Sequence, residues 1–424
     1  MKFLVKTIAA LLMVAVSFAS NAQTILIKNA KVHTQTSAGV LVDTDILIEN
    51  GLIRTIGEGL TADSALEINA KGKVVTPGIF AVMNQVGLVE IGAIAGTNDA
   101  GVEEIDGLGA SLSVDEVFNP KSTLIPMNRA GGVTRTLIKP YNGTSLFAGL
   151  GSVMDMSGDY DSLIVSDVAV FATYGEYAAS LNGGSRAAAL RDLEQAFSQA
   201  NEYLDNAGAV KSGEYRELDY SLSDLATLGR VLDQEIPLVV SVNRANDILT
   251  VLDFAKSHEL ALVLEGAAEG WKVADKISKA GVPVILNPMD NIPSSFESLN
   301  KRYENAALLN KAGVRVMFSS ETHNAQNVRY AAGNAVAYGL PYDKALAAMT
   351  NAPAKVFGGA SNYGKLMPGF KAELVVWSGD PLEVTTHAEQ VIIDGKVTDM
   401  MTRSKRLEQR YKDITNDNNT YYRK

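Results

Sequence analysis

The chain has no cysteine at all. That excludes a disulfide framework, a lipid-anchor cysteine and any thiolate ligand for a metal. Histidine is nearly as scarce: His33, His258, His323 and His387 are the only four in 424 residues. A catalytic zinc usually takes about three protein ligands, rich in histidine, so four scattered imidazoles argue against a zinc or copper centre. Basic residues are outnumbered, 38 Lys and Arg against 48 Asp and Glu, giving a formal charge of −10. An acidic chain without a long basic run is not expected to bind nucleic acid or an anionic membrane. Nor is there an apolar run of the roughly 20 residues that span a bilayer.

What apolar run there is lies at the start. Lys2 and Lys6 precede the stretch Ile8–Ala19, and Ser20-Asn21-Ala22 follows it before Gln23. A positive start, a short apolar core and small residues before the cut describe a secretory signal. Residues 1–22 are therefore expected to be removed and the mature protein to reside in the periplasm, with no membrane span after cleavage. Roughly 400 residues then remain, enough for one α/β barrel of about 250 residues and an accessory domain.

Hydrophobic periodicity changes twice along the chain. From Thr24 to Pro77 short alternating strands dominate, among them Thr24–Ile27, Asp45–Ile48 and Leu52–Ile56, with the turn Glu49-Asn50-Gly51 between the last two. This segment is too small to bury a core alone. From about Val231, apolar runs alternate with amphipathic stretches. Ile236–Val242, Leu260–Leu264, Val282–Leu286 and Val314–Phe318 read as strands. Helices are expected after Asn246-Asp247 and over Glu269–Ala280, Ser298–Ala312 and Asn324–Tyr338. That rhythm implies parallel strands with helical crossovers. Ile79–Asn84, Val133–Ile138 and Val168–Phe171 extend the same set upstream. The glycine-rich stretch Gly143–Gly151 lacks the Lys-Ser/Thr ending of a phosphate loop and is expected to be a loop over the barrel mouth. Short strands return at Glu373–Trp377 and Gln390–Val397 and are expected to pair with the N-terminal ones.

Several segments carry a family likeness: Gly72-Lys73-Val74-Val75-Thr76-Pro77-Gly78, Gly131-Gly132-Val133-Thr134, Lys344–Ala354, Gly364–Trp377 and Ile393-Asp394-Gly395-Lys396-Val397. In this order and spacing the chain resembles the amidohydrolase superfamily, in its exported imidazolonepropionase-like branch. The resemblance implies a TIM-like (β/α)8 barrel over residues 78–362, flanked by a composite β-sandwich from 23–77 and 363–400, with 401–424 a charged tail. It also implies hydrolysis of non-peptide carbon–nitrogen bonds, assisted by zinc or another divalent metal. In such chemistry the metal lowers the pKa of bound water and a carboxylate moves the proton.

The residues at the family's ligand positions depart from that pattern. Met83 and Gln85 stand where strand 1 of the family carries His-X-His, Ser241 stands at the strand 5 histidine, and Glu321 at the acid that follows strand 8. No metal ligand set is therefore assigned, and no cofactor is expected. Glu321 is the candidate for proton transfer, or else a carboxylate hydrogen-bonded at the barrel mouth. Asn84, Gln85, Asn243, Arg244, Glu265, Asn287 and His323 fall at expected carboxyl ends of strands, where barrel sites are built. They are the candidates for recognising a polar or anionic small molecule. Asp247 reads as a helix cap. Two functions compete: a hydrolase of non-peptide carbon–nitrogen bonds without the usual ligands, and an inactive pseudo-amidohydrolase that binds a ligand or partners an intact paralogue.

Overall fold

A computed structural model describes residues 23–102, 107–141, 143–215, 218–320, 323–358 and 362–412. The expected export signal, Glu103, Glu104 and Asp106, the proton-transfer candidate Glu321 and residues 413–424 lie outside these. Among the described residues no helix is long and apolar enough to cross a membrane.

The chain begins with β1 (Ile25–His33), β2 (Val40–Glu49), β3 (Leu52–Gly57), β4 (Leu66–Asn69) and β5 (Val74–Pro77). It returns to the same place at its far end with β14 (Leu374–Trp377), β15 (Ala388–Ile393) and β16 (Lys396–Val397). The two termini do pair: β14 lies antiparallel to β5, with Leu374 opposite Pro77 and Val376 opposite Val75. Hydrogen bonding runs through one continuous eight-stranded sheet, in which β1 pairs with β4 by its first half and with β5 by its second. Ile25, Ile27, Val32, Ile46, Ile48 and Leu374 close its core.

Between these ends stand β6 (Ile79–Asn84), β7 (Val133–Ile138), β8 (Phe147–Asp155), β9 (Leu163–Thr173), β10 (Leu238–Val242), β11 (Leu262–Gly266), β12 (Val284–Leu286) and β13 (Val316–Phe318). They form one sheet in chain order, and a bridge from Val82 to Ser319 joins its first and last strands. The fold is thus a mixed α/β barrel, nearly closed. The stretch expected as a loop at Gly143–Gly151 corrects to strand from Phe147 onward. This strand, β8, runs antiparallel to both β7 and β9, so no helix separates the three. Its glycines make the close packing possible. A Cβ on Gly151 would come within 2.5 Å of the Phe171 ring, and one on Gly149 within 2.3 Å of the Leu112 carbonyl oxygen.

Side chains alternate between two cores, as strand geometry requires. Phe80, Leu137, Phe171, Val239, Val263, Ile285 and Met317 fill the barrel interior. Leu238, Val240, Leu264, Val284, Leu286 and Val316 face outward and pack with the surrounding helices. Two expected helices are shorter than their periodicity suggested. Ser298–Ala312 is helical only over Asn305–Lys311, after a single 3-10 turn at Phe296–Ser298. Glu269–Ala280 divides into a 3-10 turn at Gly270–Lys272 and a helix at Ala274–Lys279.

The N-terminal end of the barrel is sealed by a buried ion pair. Arg135, inside β7 and 0% exposed, places Nε 2.7 Å from Oε2 of Glu373 and a second nitrogen against Oε1. Its guanidinium lies 4.1 Å from the centre of the Tyr363 ring, which in turn packs on Phe80. Glu373 also receives Gly78 N–H on its carbonyl, so this one residue ties the composite sheet to the entry of β6.

Candidate functional site

Strand alternation dictates what appears at the opposite, carboxyl end. The interior positions Leu137, Val239, Val263 and Ile285 are followed two residues later by Lys139, Ser241, Glu265 and Asn287. Each of these therefore turns into the mouth, as do polar residues at the carboxyl ends of barrel strands generally. On β6 the alternation is broken. Met83 has φ +61°, and the β6–β7 register shifts between Ala81 and Asn84. This irregularity brings both Val82 and Met83 into the inner core and presents Gln85 at the rim.

The result is a cavity of about 400 Å3, the size of a small-molecule site. Met83, Gln85, Lys139, Ser241, Glu265 and Asn287 line its floor, and residues Pro288–Tyr303 supply much of one wall. At its centre Lys139 Nζ stands 3.4 Å from both carboxylate oxygens of Glu265. That is ion-pair reach, but longer than a strong charged hydrogen bond. Both side chains are mostly buried, and among the described residues neither has another side-chain hydrogen bond. Lys139 Nζ also lies 5.6 Å from the centre of the Phe171 ring. On the wall, Lys301 Nζ is 2.5 Å from Asp290 Oδ2, and Arg302 is held by Glu304 and stacked over Trp271.

Of the residues singled out in the sequence, Asn84, Gln85, Asn243, Glu265 and Asn287 all line this cavity. Their free capacity differs. Asn84 is committed: its amide nitrogen donates to Thr136 Oγ1 at 2.6 Å and its oxygen accepts from Val86 N–H. Asn287 accepts from Met289 N–H in a local turn. Gln85 makes no side-chain hydrogen bond among the described residues. Arg244 and His323, also expected at the mouth, are not among the described residues that line this cavity. Arg244 sits at the start of the helix Ala245–Ser257 and turns to Asp247, 2.5 Å away. His323 is half-buried, and its carbonyl accepts from Asn128 Nδ2.

Asp247 is not the helix cap expected of it. It lies in the first turn, buried between Arg186 and Arg244. The cap is supplied from outside by Glu269, whose Oε2 accepts from Ala245 N–H at 2.8 Å. Burial alone would raise the Glu269 carboxyl. The Ala245 amide, Lys272 and Asn300 outweigh it and hold the group below the usual carboxylate range.

Lys139 was missed in the sequence, although it follows its apolar strand just as Glu265 follows Leu264. Among the described residues no three His, Asp or Glu side chains converge. At the end of β6 stand a thioether and two amides, and the charge beside Glu265 is the ammonium of Lys139.

Comparison with known proteins places this architecture. A model of the amidohydrolase family matches residues 192–407. The chain is 26% identical over 388 residues to Amidohydrolase tasK of Hapsidospora irregularis, an alignment covering 83% of this chain. It spans only 39% of that relative's length. Among solved structures, an amidohydrolase from Thermotoga maritima MSB8 superposes with a TM-score of 0.80 at 27% identity, over 88% of this chain and 99% of that one. Molinate hydrolase, with a TM-score of 0.55 at 17% identity, covers 89% of this chain and 95% of its own, and shares the fold. The chain belongs to the amidohydrolase family.

Proposed function

We propose that this amidohydrolase-family protein hydrolyses a carbon–nitrogen bond other than a peptide bond in a small polar substrate at the barrel mouth. In this reading the Lys139–Glu265 pair does the work that the family resemblance assigns to a divalent metal. The observation that carries it is the pair itself: an acid and a cation, both mostly buried and both lining a cavity of small-molecule size, with no other side-chain hydrogen bond among the described residues.

The chemistry that follows is balanced without a cofactor. Glu265 takes a proton from water as the oxygen attacks the substrate carbonyl carbon. The negative charge then developing on the carbonyl oxygen is stabilised by the Lys139 ammonium, a fixed charge in a partly water-excluded site. Collapse of the tetrahedral adduct breaks the carbon–nitrogen bond, and Glu265 returns its proton to the leaving nitrogen. The products are a carboxylic acid and an amine. Gln85, Asn243 and Asn287 supply polar contacts that orient the substrate. Glu321, beyond the carboxyl end of β13, is the alternative proton carrier.

The test is steady-state kinetics on a panel of amides, ureides and lactams. E265Q is expected to lower kcat about 10^2–10^4-fold, the range for a lost general base, and K139M about 10^2–10^3-fold, as for a lost oxyanion donor. An E265Q protein with the parental rate, beside an inactive E321Q, would move proton transfer to Glu321. Thermal stabilisation by a ligand or an amidohydrolase paralogue, with no turnover on any member of the panel, would replace the hydrolase reading with a binding one. We further propose export to the periplasm, on the strength of the N-terminal 22 residues. An N-terminus at Gln23 in the secreted protein is the expected result.

A further inference from the structure

The wall of the cavity formed by residues 288–304 is a strap, tied down at both ends. Near its start, Asn334 Nδ2 donates to the Pro288 carbonyl at 2.7 Å. Near its end, Asn300 donates to Glu269, and its own carbonyl receives the Trp271 indole N–H. Between these ties its surface is apolar and open: Ile292 is 84% exposed and Phe296 85%. Beside Phe296, one residue turns the other way. Glu297 is 9% exposed and, among the described residues, is the only carboxylate of the strap that pairs with other barrel elements.

Glu297 gathers three donors from three segments of the chain. Its Oε2 accepts from Glu176 N–H at 2.7 Å and from Arg186 Nη2 at 3.2 Å. Its Oε1 accepts from Asn243 Nδ2 at 3.3 Å. Gly175 leaves the room: at φ +128°, a Cβ there would stand 2.6 Å from Oε2. Arg186 is itself held at 2.9 Å by buried Asp247, the residue that also takes Arg244.

We propose that Glu297 is a positioning residue for the candidate site: it latches the strap over the mouth and fixes which face of the Asn243 amide a substrate meets. The Asn243 oxygen is already committed to Ala268 N–H at 3.3 Å, and one amide hydrogen goes to Glu297. The side chain keeps one N–H donor and one lone pair on its oxygen. The free N–H of Asn243 therefore offers a hydrogen bond to an acceptor oxygen of the substrate at that point. This rests on the hydrolase reading for its substrate, but the latch does not.

The two are separated by reading the strap directly. In E297A, hydrogen exchange over 288–304 and chymotryptic cleavage after Phe296 are expected to accelerate tenfold or more, with protection elsewhere unchanged. R186M, which removes a partner from outside the strap, is expected to loosen the same residues, besides the helix start at Asp247 that loses the same arginine. It decides the matter if E297A does not fold. In a turnover assay E297A is expected to raise KM at least tenfold while kcat changes less than threefold, and E297Q, which keeps one acceptor oxygen, to recover part of the loss. Exchange and cleavage within twofold of the parent in both variants would overturn the latch, whether or not any substrate is turned over. A loosened strap with KM unchanged would overturn the role assigned to Asn243.

Discussion

Removing one partner of the Arg135–Glu373 pair is the sharpest perturbation of the fold. Arg135 is fully enclosed at the sealed end of the barrel, and Glu373 is 3% exposed. Glu373→Gln would leave a guanidinium with no carboxylate in ion-pair reach among the described residues except Asp394, at 3.8 Å, and with Asp155 acting on it from further off. Breaking a buried pair from one side typically costs about 3–5 kcal/mol, because the remaining charge stays desolvated. With an unfolding entropy of about 2.1 cal/mol/K per residue, a chain of this length has roughly 0.8 kcal/mol/K at its midpoint, so the expected fall in Tm is about 4–6 °C. Calorimetry of the parent, E373Q, R135M and the double variant R135M/E373L measures this. The double variant is expected to regain most of the loss, since two apolar side chains of similar volume leave no orphan charge. Single variants within 1 °C of the parent would refute the seal, and a double variant worse than either single would show that the pair itself, not its neutralisation, holds the sheet to the barrel.

Three further outcomes follow from named contacts. Burial, reinforced by Lys31 and opposed by Asp380, holds the His33 imidazole below its ordinary pKa. The neutral ring is the native form, so its contribution is whole above about pH 6.5 and falls away as the pH drops through the lowered folded value. H33Q is expected to flatten that part of the Tm–pH curve, and an unchanged slope would contradict it. Glu269, held low by the Ala245 amide, Lys272 and Asn300, contributes above the ordinary glutamate pKa and loses this as acid protonates it in the fold. E269Q is expected to remove that acid dependence, read as the shift in the acid-unfolding midpoint. Gly132 sits at φ +92° at the start of β7, and a Cβ there would come within 2.3 Å of the buried Trp377 ring. G132A is expected to cost about 2–4 kcal/mol from left-handed strain and overpacking together, measured by thermal melting.

The strands around the barrel were legible because both of their faces are buried, so Ile79–Met83 or Leu238–Val240 reads as an unbroken apolar run. β8 was not. Its glycines look like loop composition, and only the nearness of Leu112 and Phe171 explains why they belong in a strand. The same limit hid Arg135, which reads as a polar interruption between two threonines and is matched by a carboxylate 238 residues away. At the mouth, the rule that polar residues closing an apolar strand turn inward identified Glu265, Asn243 and Asn287. Applied evenly, it would have found Lys139 as well. The rule failed for Arg244, where Asp247, three residues on, drew the guanidinium to the helix start. Glu297 left no signal, since its three partners come from elements distant in the chain.

The central claim is that chemistry at this barrel mouth runs on Lys139 and Glu265 rather than on a bound metal. The most direct measurement is metal content of the purified protein together with its hydrolysis rate before and after exhaustive chelation. Substoichiometric metal and a rate unchanged by chelation, lost in E265Q, is the predicted result. One divalent ion per chain, with activity abolished by its removal and restored by its return, would contradict the account.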